Sequence, residues 1–228
     1  MNRREYLCGG VLLALVLAGC DSEALGRNYP PYRYRLALAV ETPEGERTGA
    51  SVIEVQWTEA GKAFGIQSGA GYSVRGEATA VDLPGGQTLF VLLRSARNPD
   101  WAAWALRDVV QNIKDQGESD RDPHPVPRQV ELLGEQVDNY PYFVRFRDPA
   151  DPKSVEQVAP DDLAASFGPG YRLKSLTVQV TDEAVTSGIG KRLPSYKAGS
   201  GFQDWYKSLP YGDPRRITLD DFQKGTVQ

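Results

Sequence analysis

Tyr32-Arg33-Tyr34-Arg35-Leu36-Ala37-Leu38-Ala39-Val40-Glu41 alternates residue by residue. Tyr32, Tyr34, Leu36, Leu38 and Val40 fall on one side, and Arg33, Arg35, Ala37, Ala39 and Glu41 on the other. A period of two is that of a strand with one face in a core; a helix would need apolar residues three and four apart. Thr42-Pro43-Glu44-Gly45 has turn chemistry, and Ile53, Val55 and Trp57 then resume the alternation against Glu54 and Gln56, which predicts an antiparallel hairpin. Further on, four glycines between Gly61 and Gly71 read as an exposed loop. A second strand pair follows, Tyr72 to Leu83 and Gln87 to Arg94, joined by Pro84-Gly85-Gly86. Leu89-Phe90-Val91-Leu92-Leu93 is apolar without a break, the mark of a strand covered on both faces and the expected centre of the sheet.

The pattern changes at Asn98-Pro99-Asp100. Ala102, Leu106, Val109, Val110 and Ile113 recur at helical spacing, so a helix is expected from Asp100 to Lys114, with the Asp100 carboxylate accepting the free N–H groups of its first turn. Trp101 and Trp104 lie toward another side. Together with Trp205 they are candidate partner-binding residues, although burial in the core is the more ordinary use of tryptophan. Residues 114–128 are polar, with Asp115, Glu118, Asp120 and Asp122, and suit a solvated loop. Val130 to Val137 reads as a short strand or a helical turn, with strand preferred, and Tyr142, Val144 and Phe146 alternate as a strand. Ser154 to Val158 is expected to make one helical turn, and Pro160-Asp161-Asp162 to open another that Gly168 ends. Tyr171 to Thr181 is a late strand with Leu176, Val178 and Val180 inward. Phe202, Trp205, Tyr206, Leu209, Tyr211 and Phe222 are too many apolar groups for a free tail, so residues 182–228 should wrap onto the body. The expected class is α+β: an antiparallel sheet from two hairpins and later strands, with helices packed on one face, in a single domain over residues 32–228.

Composition and motifs exclude more than they assign. The net charge is −4, without the basic excess that marks nucleic-acid binders. His124 is the one histidine, set in Asp122-Pro123-His124-Pro125, where prolines favour an extended exposed loop over the oriented imidazole that general-base work requires. The two cysteines, Cys8 and Cys20, both lie near the start, which leaves the body without a thiolate nucleophile or cysteine metal site. The Asp115–Asp122 and Asp148–Asp151 stretches lack the ligand spacing of a calcium loop, and neither Gly69-Ala70-Gly71 nor Gly168-Pro169-Gly170 matches a phosphate-binding fingerprint. No metal and no cofactor are expected. Lys191-Arg192 and Arg215-Arg216 offer contacts for anionic polymers or lipid headgroups, with a solvated face as the ordinary alternative.

The beginning of the chain is more explicit. Arg3 and Arg4, the apolar run Val11 to Ala18 and the small residues that follow have the three parts of a signal peptide. The run is too short for a membrane span, which takes about 20 apolar residues. Arg3-Arg4-Glu5-Tyr6-Leu7 looks like a twin-arginine export motif; an ordinary positive leader is preferred, since no cofactor fingerprint follows that would call for folded export. Leu17-Ala18-Gly19-Cys20 resembles the lipobox of bacterial lipoproteins. The resemblance implies a diacylglyceryl group on Cys20, cleavage of residues 1–19, and residues 20–31 as a lipidated tether. Two or more acyl chains hold a protein firmly on a bilayer, whereas one does so only marginally. Asp21, in the enteric sorting rule, implies retention at the inner membrane. Loss of Arg3, Arg4 and Glu5 would move the net charge from −4 to −5.

Asp148 to Gly170, Ser175 to Val185 and Gly190-Lys191-Arg192-Leu193-Pro194 look like a family of uncharacterised proteobacterial proteins, a resemblance that implies no activity. The leading expectation is therefore a non-enzymatic envelope lipoprotein that binds a protein partner or helps assemble an envelope complex. The alternative is a periplasmic hydrolase acting on glycan or peptide through a carboxylate pair, which thirty acidic residues can always supply somewhere.

Overall fold

The computed structural model describes residues 27–59, 62–63, 66–67, 71–106, 130–132, 140–194 and 201–225. The signal peptide, Cys20, Asp21, His124 and the acidic stretch from Asp115 to Asp122 lie outside the described residues.

After β1 (Arg27–Asn28), the predicted hairpin forms from β2 (Tyr32–Thr42) and β3 (Gly45–Glu59). The two strands pair antiparallel from Tyr32↔Val55 to Thr42↔Gly45. Gly45 takes φ 107°, a backbone conformation that side chains resist, and Thr42 Oγ1 donates to its carbonyl at 2.6 Å. The glycine-rich stretch expected as a loop contains a small ribbon, β4 (Lys62–Ala63) against β5 (Ile66–Gln67).

The next strand differs from expectation. Tyr72 to Leu83 is two strands, β6 (Gly71–Glu77) and β7 (Thr79–Leu83), parted at Ala78. They belong to two different sheets. Gly76 at φ 153° permits the bend, and its missing side chain lets β3 approach: a Cβ there would sit 3.0 Å from Ile53 Cα. A 3-10 turn at Pro84–Gly86 leads into β8 (Gln87–Ser95), followed by α1, helical over residues 101–106. Then come β9 (Val130–Glu131), β10 (Pro141–Phe146) and β11 (Val155–Val158). This corrects the helical turn expected at 154–158: only Pro152–Ser154 curls, and β11 pairs with β10 from Phe146↔Val155 to Phe143↔Val158. Val155 and Val158 are buried, and what selects the strand is the edge of β10, which offers the backbone of this segment hydrogen-bonding partners that a single helical turn would leave unmet. Helix α2 (Leu163–Phe167) starts as predicted, with Asp162 accepting from Ala165 N–H at 3.1 Å, and ends at Gly168 with φ 102°. Strand β12 (Arg172–Val180), α3 (Phe202–Ser208), α4 (Leu219–Phe222) and β13 (Gln223–Lys224) complete the order.

Two antiparallel sheets with a few short helices therefore replace the single sheet. The larger runs β13-β6-β3-β2-β12-β9, with β1 on β3; the smaller runs β11-β10-β8-β7. The helices meet different sheets: Tyr34 of β2 donates its buried hydroxyl to Ala102 O of α1 at 2.7 Å, whereas α4 packs on β8. The chain divides into two units, Met1–Pro30 with Trp57–Gly71, and Pro31–Gln56 with Tyr72–Gln228. In the first, β1 pairs with the end of β3, Tyr29 N–H donates to Trp57 O at 2.9 Å, and β4 pairs with β5. The second holds the core.

Tyr34, Leu36, Leu38 and Val40 are all at or below 1% exposure, as the alternation requires. Leu89 to Leu93 are all at or below 2%, and β8 is interior to its sheet, between β10 and β7. One side of β8 offers Phe90 and Leu92 to a cluster with Val144, Phe146, Ile189, Ile217 and Phe222. The C-terminal segment thus wraps onto the body and supplies a third of the buried residues of this core, Ile189, Ile217 and Phe222. Gly49 sets how closely β3 can pass β7: a Cβ there would collide with the Ala80 carbonyl oxygen and stand 2.9 Å from Val81 Cγ2. Beside it the buried hydroxyls of Ser51 and Thr79 lie 2.6 Å apart, and Thr79 Oγ1 reaches Leu36 O at 3.3 Å. A polar group so enclosed needs such partners.

Candidate functional site: a cleft at the end of the smaller sheet

At one end of the smaller sheet the ladder opens. Register between β8 and β10 shifts between Pro141 and Phe143, where Pro141 has no N–H to give a neighbouring strand. Above this irregularity lies a cleft of about 190 Å³. Its walls come from the turn after β8 (Ala96, Arg97), the start of β10 (Tyr140 to Phe143) and the end of β11 (Gln157, Val158, then Pro160). The turn holding Arg97 is tied at both ends. Ser95 N–H donates to Asn98 O at 2.9 Å, and Asn98 N–H to Ser95 Oγ at 3.0 Å.

Arg97 is exposed. It is the one arginine with a described side chain that has neither an ion pair, a hydrogen bond nor an aromatic ring beneath it. Among the described residues, no carboxylate lines this cleft. Chemically it offers one free guanidinium, one amide, two phenols and apolar walls, a set that can hold an anion with an apolar body and has no general base.

The charged groups nearby have other tasks. The Arg94 guanidinium lies 5.4 Å from the centre of the Tyr142 ring and 3.6 Å from Asp221. Burial pushes the Asp221 carboxyl up, against the Thr218 N–H that donates to it at 2.8 Å and the charge of Arg94. Asp221 and Thr218 form the capping box of α4. Glu77, 5% exposed, accepts Gly188 N–H and Ile189 N–H at 2.9 Å each, pinning the C-terminal segment to the bend between β6 and β7.

Asp100 does not cap the helix as expected. Asn98 Oδ1 accepts the Asp100 N–H at 2.9 Å, one step earlier. The Asp100 carboxylate is instead held below the usual range by the Tyr72 hydroxyl and then by Lys224 Nζ, 3.1 Å away. The same bond to Asp100 pushes the Tyr72 phenol up to about 12. This group ties β6, the start of α1 and β13 together.

The three candidate tryptophans have three settings. Trp101 is 3% exposed and interior. Trp104 is part-buried, its ring edge-on to Tyr72 at 6.2 Å. Trp205 is part-buried against the core, with Phe202 5.6 Å from it. Among the described residues the exposed large hydrophobics are Tyr72 and Tyr211. Of the four basic residues singled out, Arg192 pairs with Asp82, Arg215 with Asp213, and Arg216 lies over Tyr206 while donating to Leu209 O. Asp148 and Asp151 accept backbone N–H groups of their own turn at 2.9 Å. Among the described residues no three metal-ligating side chains converge, and no helix is long and apolar enough to cross a membrane. Sequence reasoning missed Arg97, Gln157 and Glu77; the one available signal was Tyr140-Pro141-Tyr142, rings alternating with proline.

Compared with known proteins, the chain matches no family model, no curated protein and no solved structure.

Proposed function

We propose that this chain is a bacterial envelope lipoprotein, held on the periplasmic face of a membrane by lipid on Cys20, whose body is a non-enzymatic binding or assembly factor for an envelope protein. Leu17-Ala18-Gly19-Cys20 behind a short apolar run is the observation on which the address rests, and Asp21 favours the inner membrane. The binding role is supported by the cleft beside Arg97, which offers recognition groups. The carboxylate-hydrolase alternative needs two acids converging in a cleft at about 5 to 9 Å, and the acids described above are engaged in ion pairs, caps and turns.

The anchor is tested by palmitate labelling and membrane fractionation of the full chain and of Cys20→Ser. Label on the wild type, with unlabelled precursor accumulating for the variant, is expected. An unlabelled wild-type protein would remove the address. The binding role is tested by crosslinking in native membranes, where recovery of the chain alone at every crosslinker length would count against it.

A further inference from the structure

The dimensions and charge of the cleft restrict what it can take. A volume of about 190 Å³ is below the roughly 300 to 1,000 Å³ of sites that enclose a whole small molecule. It suits an end group of something larger. The walls are apolar at Pro141, Phe143, Val158 and Pro160, with Arg97 as the cation and the Gln157 amide as a neutral hydrogen-bonding group. One guanidinium without a partner matches one negative charge, and a planar carboxylate meets its parallel N–H groups two at a time. Arg94, a second cation near Tyr142, is already engaged by Asp221, so among the described residues a doubly charged phosphate finds no second free arginine here.

We propose that this cleft captures the α-carboxylate of an apolar terminal residue. The carboxylate pairs with Arg97, the side chain lies among Tyr142, Pro141 and Pro160, and Gln157 bonds the adjoining amide. Capture of a chain-terminal carboxylate is an established mode of peptide recognition, here with a guanidinium in place of backbone N–H groups. The ligand is a polypeptide C-terminus or a free N-acyl amino acid of the same chemistry. The inference rests on the binding role proposed above and is independent of the lipid anchor.

The test uses the full chain in mild detergent and three probes followed by titration calorimetry: an acetylated Gly/Ser hexapeptide ending in leucine with a free carboxylate, the same peptide as its C-terminal amide, and N-acetyl-leucine. Each is measured against the wild type, Arg97→Gln and Arg97→Lys. Arg97 is exposed and unpaired, so neither substitution removes a contact the fold uses. The acid peptide should bind at least ten-fold more tightly than the amide. Arg97→Gln should erase that preference and Arg97→Lys keep part of it. N-acetyl-leucine binding as well as the acid peptide would assign the site to the free acid, and weaker binding would assign it to a chain end; both outcomes support the capture. Equal binding of acid and amide, no binding of either, or an unchanged preference in Arg97→Gln would overturn it. Palmitate labelling of Arg97→Gln should match the wild type, so failure of this inference and failure of the anchor are read on different instruments.

Discussion

The two sheets of the body solve the problem of burial in opposite ways. In the larger, β2 turns Tyr34, Leu36, Leu38 and Val40 inward and leaves charges on its other face. Those charges are paired: Arg33 with Glu54 and Arg172 with Glu41 across strands, Arg75 with Glu54 as well, and Arg35 with Glu183 of the segment that follows β12. In the smaller, β8 has no wet face. Its second side is closed by residues from the far end of the chain, with Phe222 stacked on Phe146 at 5.7 Å and edge-on to Phe90 at 5.5 Å. Both sheets draw on distant parts of the chain, but the larger takes β12 as a hydrogen-bonded strand on β2, whereas the smaller takes aromatic side chains from outside its own strands to cover β8. Stability should therefore be concentrated where that closure is made.

The largest effect is expected from removing the closure. Phe222→Ala should cost about 3 to 5 kcal/mol, the range for emptying an aromatic site in a core, read as a lowered denaturant midpoint; a loss below about 1 kcal/mol would break the contrast. Next comes the point where the sheets pass each other. Gly49→Ala drives a methyl into the Ala80 carbonyl and should cost at least about 1 to 3 kcal/mol, the usual penalty of overpacking. Gly190→Ala, where a Cβ meets nothing within 4 Å, should leave the thermal midpoint nearly unchanged. Glu77→Gln keeps the shape but sets an NH2 group against one of two N–H donors. A loss of about 1 to 3 kcal/mol is expected for a buried donor left unmatched, and amide exchange should quicken at Gly188 or Ile189 before the rest of the fold.

The smallest effect is the most discriminating, because Glu54 of the larger sheet and Asp221 of α4, which packs on the smaller, should respond to acid with opposite signs. At Glu54 burial raises the pKa, but the hydrogen bonds and charges of Arg33 and Arg75 outweigh it and hold the carboxyl low. Its contribution is present above the unfolded carboxylate range near pH 4 and is lost as pH falls through the lower folded value. Asp221 is raised by burial, so its contribution is fullest below the unfolded value and is lost as pH rises through the folded one. Unfolding of Glu54→Gln and Asp221→Asn from pH 7 to pH 3 should show the wild type losing its advantage over the first and gaining on the second. Parallel trends would mean the two acids share one environment.

Much of this was readable in advance where the cause is local. Alternation at Tyr32 to Glu41 placed β2 and its inward face, the unbroken run Leu89 to Leu93 placed a doubly covered strand, and Asp162 with Gly168 bracketed α2. The misreadings share a cause. Tyr72 to Leu83 has a strand pattern throughout, and nothing in it says that Ala78 is a corner between sheets. Val155-Glu156-Gln157-Val158 is too short to choose between turn and strand until β10 offers Phe143 to Phe146 as partners. Asp100 follows the pattern of a cap, yet Tyr72 and Lys224 arrive from elsewhere and take its carboxylate. The cleft was least legible of all, since Arg97, Tyr140 and Gln157 come from three separate segments.

By itself the amino-acid order determined the inward face of β2, the doubly covered β8, the closing role of the aromatic C-terminal segment and the lipobox expectation, because periodicity, composition and short motifs act between near neighbours. Only the tertiary structure decided that there are two sheets, which carboxylates are engaged, and that one arginine stands unpaired above a cleft. Those outcomes depend on which distant groups meet, and a side chain's charge and exposure have no value until its neighbours are in place.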